Sequence, residues 1–230
     1  MHEPITCFLP CRKGSVRVPR KNIAPFAQFR HGLIEIKLKQ LIETPEIDRI
    51  VLSTNDEEIL DFAYSLNHPK LATHQRDDAL SSSSTSTDEL VAHAYSLVDA
   101  GHILWTHVTS PFVTSEYYSR IIAQYRAALR EGFDSLMTTT PLQGFLWNDN
   151  GPINYDRTVE KWPRTQTLDT IHEVNSAAFL AHRDIYSQLN DRIGCRPYLF
   201  EMDKLISQDI DWPEDFLSAE LFAKSNLVKT

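Results

Sequence analysis

Two groups of residues in this 230-residue chain have the types and spacing for phosphate chemistry. Between Arg12 and Asn22 stand Arg12, Lys13, Arg17, Arg20 and Lys21, with no acid among them. Elsewhere acids dominate: 31 Asp and Glu against 23 Lys and Arg give a formal net charge of −8. A cationic run on an acidic chain concentrates positive potential at one place and forms a local site for a polyanion. A solvated surface loop is the other use of such charge. Gly14 and Ser15 let backbone N–H groups turn toward a phosphate, while Arg12, Arg17 and Lys21 can neutralise it. Asn22 offers a neutral donor and acceptor for ribose or phosphate. The run is neither G-x-x-x-x-G-K-[ST] nor G-x-G-x-x-G, so it is not one of the two common nucleotide loops.

The second group is Asp209-Ile210-Asp211. In an extended chain alternate side chains share a face, so both carboxylates can approach one hard cation. Mg2+ takes one or two protein carboxylates and fills its other positions with water and substrate phosphate. D-x-D alone also occurs as a structural or solvated pair. Opposite a polycationic loop, it reads as the metal half of a nucleotide-phosphate site. His107, beside Thr109-Ser110, is placed either for substrate contact or for packing at a strand end.

Other chemistries are disfavoured. The nine histidines form no H-x-x-x-H or H-E-x-x-H spacing, and no G-x-S-x-G is present. Cys7, Cys11 and Cys195 lack C-x-x-C spacing, so neither a disulfide framework nor a structural zinc site is expected, and a reducing cytoplasm is the natural compartment. The acidic balance argues against non-specific nucleic-acid binding. No apolar run approaches the roughly 18 residues of a membrane span, and the first residues lack a signal-peptide layout.

These residues need elements to position them. The apolar runs Ile5–Pro10, Ile50–Ser53 and Ile103–Val108 predict buried strands. Helical spacing predicts helices over Gly32–Ile42 and Tyr117–Arg130. Capping boxes at Thr54–Glu57 and Ser86–Glu89 predict helix starts, the first helix running to about Leu66 and the second covering Leu90–Val98. Asp134–Thr140, Asn175–Ala181 and Tyr198–Met202 are β-like, Arg183–Leu189 is a short helix, and Trp212–Phe222 is a closing helix with Pro213 in its first turn. Strands alternating with helices predict a mainly parallel α/β sheet flanked by helices. Residues 142–175, rich in Trp, Pro and Gly without periodicity, read as a lid or dimerisation excursion within a single domain. Four segments then fall at carboxyl ends of strands, where ligands collect in open parallel sheets: 12–22, 53–55, 107–111 and 209–211.

With those residues in view, Leu9-Pro10-x-Arg12-x-Gly14-Ser15-x-Arg17-x-Pro19-x-Lys21-Asn22 closely resembles the signature loop of the acylneuraminate cytidylyltransferases. Ile50–Ile59, Arg76–Leu80 with Ser86-Thr87, Thr109-Ser110-Pro111, and Ser207–Asp211 with Glu214-Asp215-Phe216 resemble later motifs of that family in the same order. The resemblance implies a Rossmann-like nucleotidyltransferase fold and Mg2+-dependent transfer of CMP from CTP to a nonulosonic acid, releasing pyrophosphate. It implies that Arg12, Gly14, Ser15, Arg17, Lys21, Asn22, Arg76 and Thr87 serve the nucleotide, and that Asp209 and Asp211 bind Mg2+. Arg12, Lys21 and Asp211 are the implied catalytic residues. His107, Thr109, Arg164 and Asn175 are the implied sugar contacts, and a homodimer is the implied assembly. The sugar half departs from the family pattern: His107 stands for Gln, Val113 for Arg, and Leu142–Leu146 has no Lys. A related enzyme acting on another sugar acid or sugar phosphate, and a nucleotide-binding dimer without catalysis, share these residues as alternatives.

Overall fold

The computed structural model describes residues 3–82, 84–225 and 227–230. In chain order the elements are β1 (Ile5–Cys11), α1 (Gly32–Ile42), β2 (Arg49–Thr54), α2 (Glu57–Leu66), β3 (Leu71–Gln75), α3 (Thr87–Leu97) and β4 (His102–Trp105). There follow α4 (Ser115–Arg130), β5 (Ser135–Leu142), the two-residue pair β6 (Trp147–Asn148) and β7 (Gly151–Pro152), β8 (Ile171–His182), α5 (Arg183–Leu189), β9 (Pro197–Glu201) and α6 (Pro213–Lys224). Seven strands make one sheet in the order β3-β2-β1-β4-β8-β5-β9, and β6-β7 form a small separate ribbon. All pairings in the large sheet are parallel except those of β8, which runs antiparallel to β4 and β5. The expected mainly parallel sheet with flanking helices is therefore the observed one.

The centre of the sheet explains why its sequence is so apolar. Every residue of β1 is buried, because both faces are covered by helices and both edges are paired. The order places β2 and β3 on one side of β1 and β4 on the other, so successive connections diverge at β1 and β4. Their carboxyl ends border the crevice that such a divergence leaves open.

Several boundaries differ from expectation. The start of α2 is capped by Asp56, whose carboxylate accepts the Glu58 N–H at 3.1 Å, while Thr54 Oγ1 accepts the Asp56 N–H. Thr54 is thus the last strand residue rather than the cap, since pairing with β3 continues through it. At α3 the capping box of Ser86 and Glu89 forms as expected, and the helix begins at Thr87. The excursion is shorter than 142–175, because β5 extends to Leu142 and β8 begins at Ile171. Edge strand β3 gave no apolar signal: Leu71-Ala-Thr-His-Gln75 is short and only partly buried.

Candidate active site

The basic loop leaves β1 and folds back on itself in tight turns, with the Lys21 N–H on the Val18 carbonyl and the Ile23 and Ala24 N–H groups on the Arg20 carbonyl. Gly14 has φ +80°, a left-handed conformation that disfavours any side chain, although open space surrounds its α-carbon. Arg20 also takes a positive φ and is held by Glu58 at 2.8 Å. Asn22 donates from Nδ2 to the Arg12 carbonyl at 3.1 Å, closing the loop across its mouth. The expected substrate donor therefore has a structural bond inside the loop. On the other side, the Lys13 N–H donates to Asn55 Oδ1 at the end of β2.

The ends of β1 and β4, the irregular middle of β8 and the loop after β9 converge here on a cavity of about 380 Å³, whose lining includes Arg12, Ser15, Arg17, Lys21, Asn22, His107, Thr109, Ser176, Asp209 and Asp211. Of the expected nucleotide and metal residues, these come together. Gly14 lies just behind, in a small recess shared with Arg12, Ser15 and Lys21. Arg76 lies outside the cavity, on a polar depression with Lys13, Asn55 and Asp78. It is 4% exposed, donates from Nε to Ser81 Oγ at 3.0 Å, and leaves Nη1 without a partner. Burial lowers its affinity for a proton, with Arg12 acting in the same direction. Thr87 stands exposed in the first turn of α3 and lines neither this cavity nor that depression.

The carboxylate pair sits in the loop between β9 and α6, and neighbouring segments lock it. The Ile210 N–H donates to the Thr109 carbonyl at 2.9 Å, and Lys21 Nζ donates to the Ile210 carbonyl at 2.5 Å. Asp215 accepts the N–H groups of both Asp211 and Trp212, which joins the loop to the first turn of α6. Asp211 Oδ1 meets Arg17 at 2.8 Å and Lys21 at 3.3 Å, and the Arg17 guanidinium lies 4.8 Å over the Trp212 ring. Burial raises the pKa of Asp209, the Thr109 hydroxyl bond opposes that, and Asp211 adds repulsion. Its Oδ1 is buried without a hydrogen-bond partner. A buried, unpartnered carboxylate oxygen beside a second carboxylate suits a hard divalent cation, which would remove both the desolvation cost and the repulsion. Among the described residues no group of three His, Cys, Asp or Glu side chains gathers to hold a metal. A cation here would take these two carboxylates and complete its shell with water and substrate oxygens.

His107 accepts the Trp105 indole N–H on Nε2 at 3.1 Å. An indole nitrogen only donates, so Nε2 carries no proton and Nδ1 carries one. Burial, with Arg192 and Lys21 nearby, pushes the His107 pKa down to about 3. A ring that holds a proton so weakly is a poor base at neutral pH, and His107 offers the cavity a neutral donor.

The remaining sugar-side expectations fare differently. The Thr109 hydroxyl turns to Asp209 rather than standing free. Arg164 is exposed on the excursion and lines neither the main cavity nor its neighbour. Asn175 bonds Thr140 Oγ1 through Nδ2 and the Ala177 N–H through Oδ1. Those bonds brace an irregularity where β8 carries extra residues opposite Met137–Thr139. Within it Ser176 takes φ +58°, an uncommon conformation for serine, and lines the cavity floor. No sequence signal marked Ser176.

A second cavity of about 730 Å³ abuts the first and shares Ser176, Asp209 and Asp211 with it. Asn175 and Lys204 are also in its lining. Lys204 was not expected from sequence, having no motif around it.

Comparison with known proteins agrees with this geometry. Residues 6–227 match the family described as Cytidylyltransferase. A pseudaminic acid cytidylyltransferase of Campylobacter jejuni is 26% identical, covering 96% of this chain and 96% of its own. An N-acylneuraminate cytidylyltransferase of Streptococcus agalactiae is also 26% identical, over 94% of this chain but only 52% of its own length. In fold, the chain resembles a CMP:2-keto-3-deoxy-manno-octonic acid synthetase complexed with CTP (TM-score 0.67, 14% identity, 97% and 99% coverage). It likewise resembles a 4-diphosphocytidyl-2C-methyl-D-erythritol synthase from Anaerococcus prevotii (TM-score 0.68, 15% identity, 96% of each chain). The chain belongs to the cytidylyltransferase family and is a nucleotidyltransferase.

Proposed function

We propose that this enzyme transfers CMP from CTP to the anomeric hydroxyl of a nonulosonic acid and releases pyrophosphate. The observation that carries the reading is the pair of abutting cavities with a carboxylate pair in their common wall. A nucleotide held by the basic loop and a sugar held next door would meet at that wall. The 26%-identical relatives named for pseudaminic and N-acylneuraminic acid favour an acceptor of that class.

In this reading the acceptor hydroxyl attacks the α-phosphorus, the bond from that phosphorus to the bridging oxygen breaks, and pyrophosphate leaves with the electron pair. The hydroxyl proton goes to solvent. Little covalent chemistry falls to the protein, so its work is alignment and charge neutralisation. Arg12 and Lys21 stabilise the departing pyrophosphate, while Ser15 and the backbone near Gly14 orient the phosphate chain. Asp209 and Asp211 would hold Mg2+, which when bound supplies Lewis-acid stabilisation of phosphate charge. His107 donates through Nδ1–H to an oxygen of substrate and takes no proton.

The excursion suits a second copy of the chain. It exposes Trp147 (46%), Trp162 (62%) and Val159 (85%), with the Arg157 guanidinium over both indoles. Exposed aromatics clustered around one Arg have the composition of an interface core. We therefore assign the homodimer contact to this excursion, through which Arg164 would reach the partner's sugar site.

The direct test is pyrophosphate release from each nucleoside triphosphate against a panel of sialic, legionaminic, pseudaminic, Kdn and Kdo acids, with and without Mg2+. The expected result is release with CTP and one acid, abolished by chelation. Tight CTP binding with no release from any acid would contradict the assigned acceptor class.

A further inference from the structure

We propose that Lys204 binds the carboxylate of the acceptor, which makes it a specificity-determining residue of the second cavity. The inference rests on the reading that the acceptor is a sugar acid. It starts from the charge in that cavity's wall. Glu173, Asp209, Asp211 and Asp215 all contribute to the lining, and Lys204 is the one cation among them. An acceptor carrying a carboxylate would be repelled by such a wall unless a cation stood on its path. Two of the acids are already engaged. Asp215 is occupied by the N–H groups of Asp211 and Trp212, and Asp211 is paired with Arg17 and Lys21. The Lys204 ammonium has neither an ion pair nor a hydrogen bond to any described residue. It is exposed to the cavity and retains its full capacity for an incoming anion.

The backbone under Lys204 is anchored, so its position is defined although the side chain is exposed. The Met202 N–H donates to the Thr139 carbonyl at 2.8 Å, at the end of the pairing between β5 and β9. The Ser207 N–H closes a turn on the Asp203 carbonyl at 2.9 Å, and Ser207 Oγ meets Thr140 Oγ1 at 2.9 Å. Lys204 stands on that turn, between two attachments to β5. Four residues on, Gln208 lines the same cavity; its Nε2 donates to Ser218 Oγ at 2.9 Å, while Oε1 is buried without a partner. A buried unpartnered acceptor of this kind suits a sugar hydroxyl. Cation and acceptor oxygen together match the polar groups of a hydroxylated acid.

Arg164 is exposed and lies outside both cavities of its own chain. Among the described residues, Lys204 is the cation that lines the second cavity.

The test uses the full chain with Mg2+ and CTP and the acid on which the wild type is active. Lys204→Ala, Lys204→Glu and Lys204→Arg are compared with wild type for the KM of the acid, the KM of CTP and Tm. Each acid is also presented as its carboxamide. Loss of one charge-assisted bond should raise the acid KM roughly 10- to 100-fold in Lys204→Ala. The rise should be greater in Lys204→Glu and smaller in Lys204→Arg, with CTP KM and Tm unchanged. Wild type should strongly prefer the acid to its amide, and Lys204→Ala should lose that preference. An active wild type with an unaltered acid-to-amide ratio in Lys204→Ala overturns this assignment alone. A wild type inert toward every acid while binding CTP overturns the acceptor reading and this assignment with it.

Discussion

In the proposed reaction Asp211 helps hold the metal, and its exposure makes that role testable without wrecking the fold. Its ion pair with Arg17 joins side chains each 44% exposed and is worth only about 0–1 kcal/mol, while Lys21, 11% exposed, keeps its bond to the Ile210 carbonyl when Asp211 loses its charge. Asp211→Asn should therefore fold with a near-normal Tm and lose roughly 10²–10³-fold in turnover, as removal of one key charge contact does. Calorimetry and pyrophosphate release on the same preparation check both halves, and normal turnover would remove Asp211 from the metal site. Acid stability depends on other residues, the histidines whose pKa burial lowers, of which His93 is one and His107 another. His93, with Ser53 Oγ at 2.8 Å from Nε2, is pushed down to about 4, mainly by burial and also by His74 and Arg76. Its unfolded value is about 6.5, so on acidification the unfolded chain takes up the proton first. This contribution is complete above about pH 6.5 and is lost as pH falls toward about 4. His93→Gln should show a shallower decline of Tm across that window. A decline as steep as that of wild type would assign the acid sensitivity elsewhere. At this scale the sequence was legible where charge and motif coincide, as at Arg12, Lys21, Asp209 and Asp211. It was silent on Ser176 and Lys204, because a positive φ and a cavity wall are set by strand pairing far along the chain.

Elements place these residues through a few tight joints. The junction from the basic loop into α1 passes through Gly32 at φ +61°, where an added Cβ would sit 1.9 Å from the Ala24 carbonyl oxygen. That oxygen belongs to the backbone and has no flexible side chain to move aside. Gly32→Ala should cost at least about 2 kcal/mol, combining backbone strain with overlap, and denaturant titration reads it directly. A loss below about 0.5 kcal/mol would show that the loop readily relaxes. Under the same joint, Lys37 of α1 is fully buried, with Nζ 2.8 Å from both the Ser110 carbonyl and the Tyr118 hydroxyl. Tyr118 in turn meets Thr106, whose hydroxyl donates to the Ala177 carbonyl beside Ser176. One buried network thus ties α1 to the end of β4 and to the irregular part of β8. Helical spacing in Gly32–Ile42 indicated the helix but could not reveal this, since a lysine in an amphipathic pattern reads as solvated. Strands β1, β2 and β4 were legible because burial on both faces demands near-continuous apolar runs. Edge strand β3 and the β6-β7 ribbon carry no such demand, and they left no trace in the pattern. The cap of α2 moved from Thr54 to Asp56 because strand pairing claimed Thr54.

For the whole molecule, the order β3-β2-β1-β4-β8-β5-β9 gathers distant segments at one end of the sheet. The basic loop and the carboxylate pair lie almost 200 residues apart and meet directly through Arg17 and Asp211. The general place of the site was legible from strand ends, whereas the division into two cavities arises from the irregular part of β8 and the loop after β9, whose packing no local pattern encodes. Assembly belongs to this scale too. If the proposed dimer forms through the excursion, replacing Trp147 and Trp162 together by Ser should leave the monomer fold intact, as both are exposed, and should shift sedimentation from dimer to monomer. A dimer that survives this change lies on another face. In the proposed reaction the α-phosphorus of CTP passes to a sugar-acid hydroxyl at the wall between the cavities. The most direct measurement is 31P NMR of enzyme, CTP, Mg2+ and the acid panel in one tube. Pyrophosphate and a single new phosphodiester resonance should rise together in equal amounts as CTP disappears. CTP that persists unchanged, or that breaks down without a phosphodiester product, would contradict the proposed reaction.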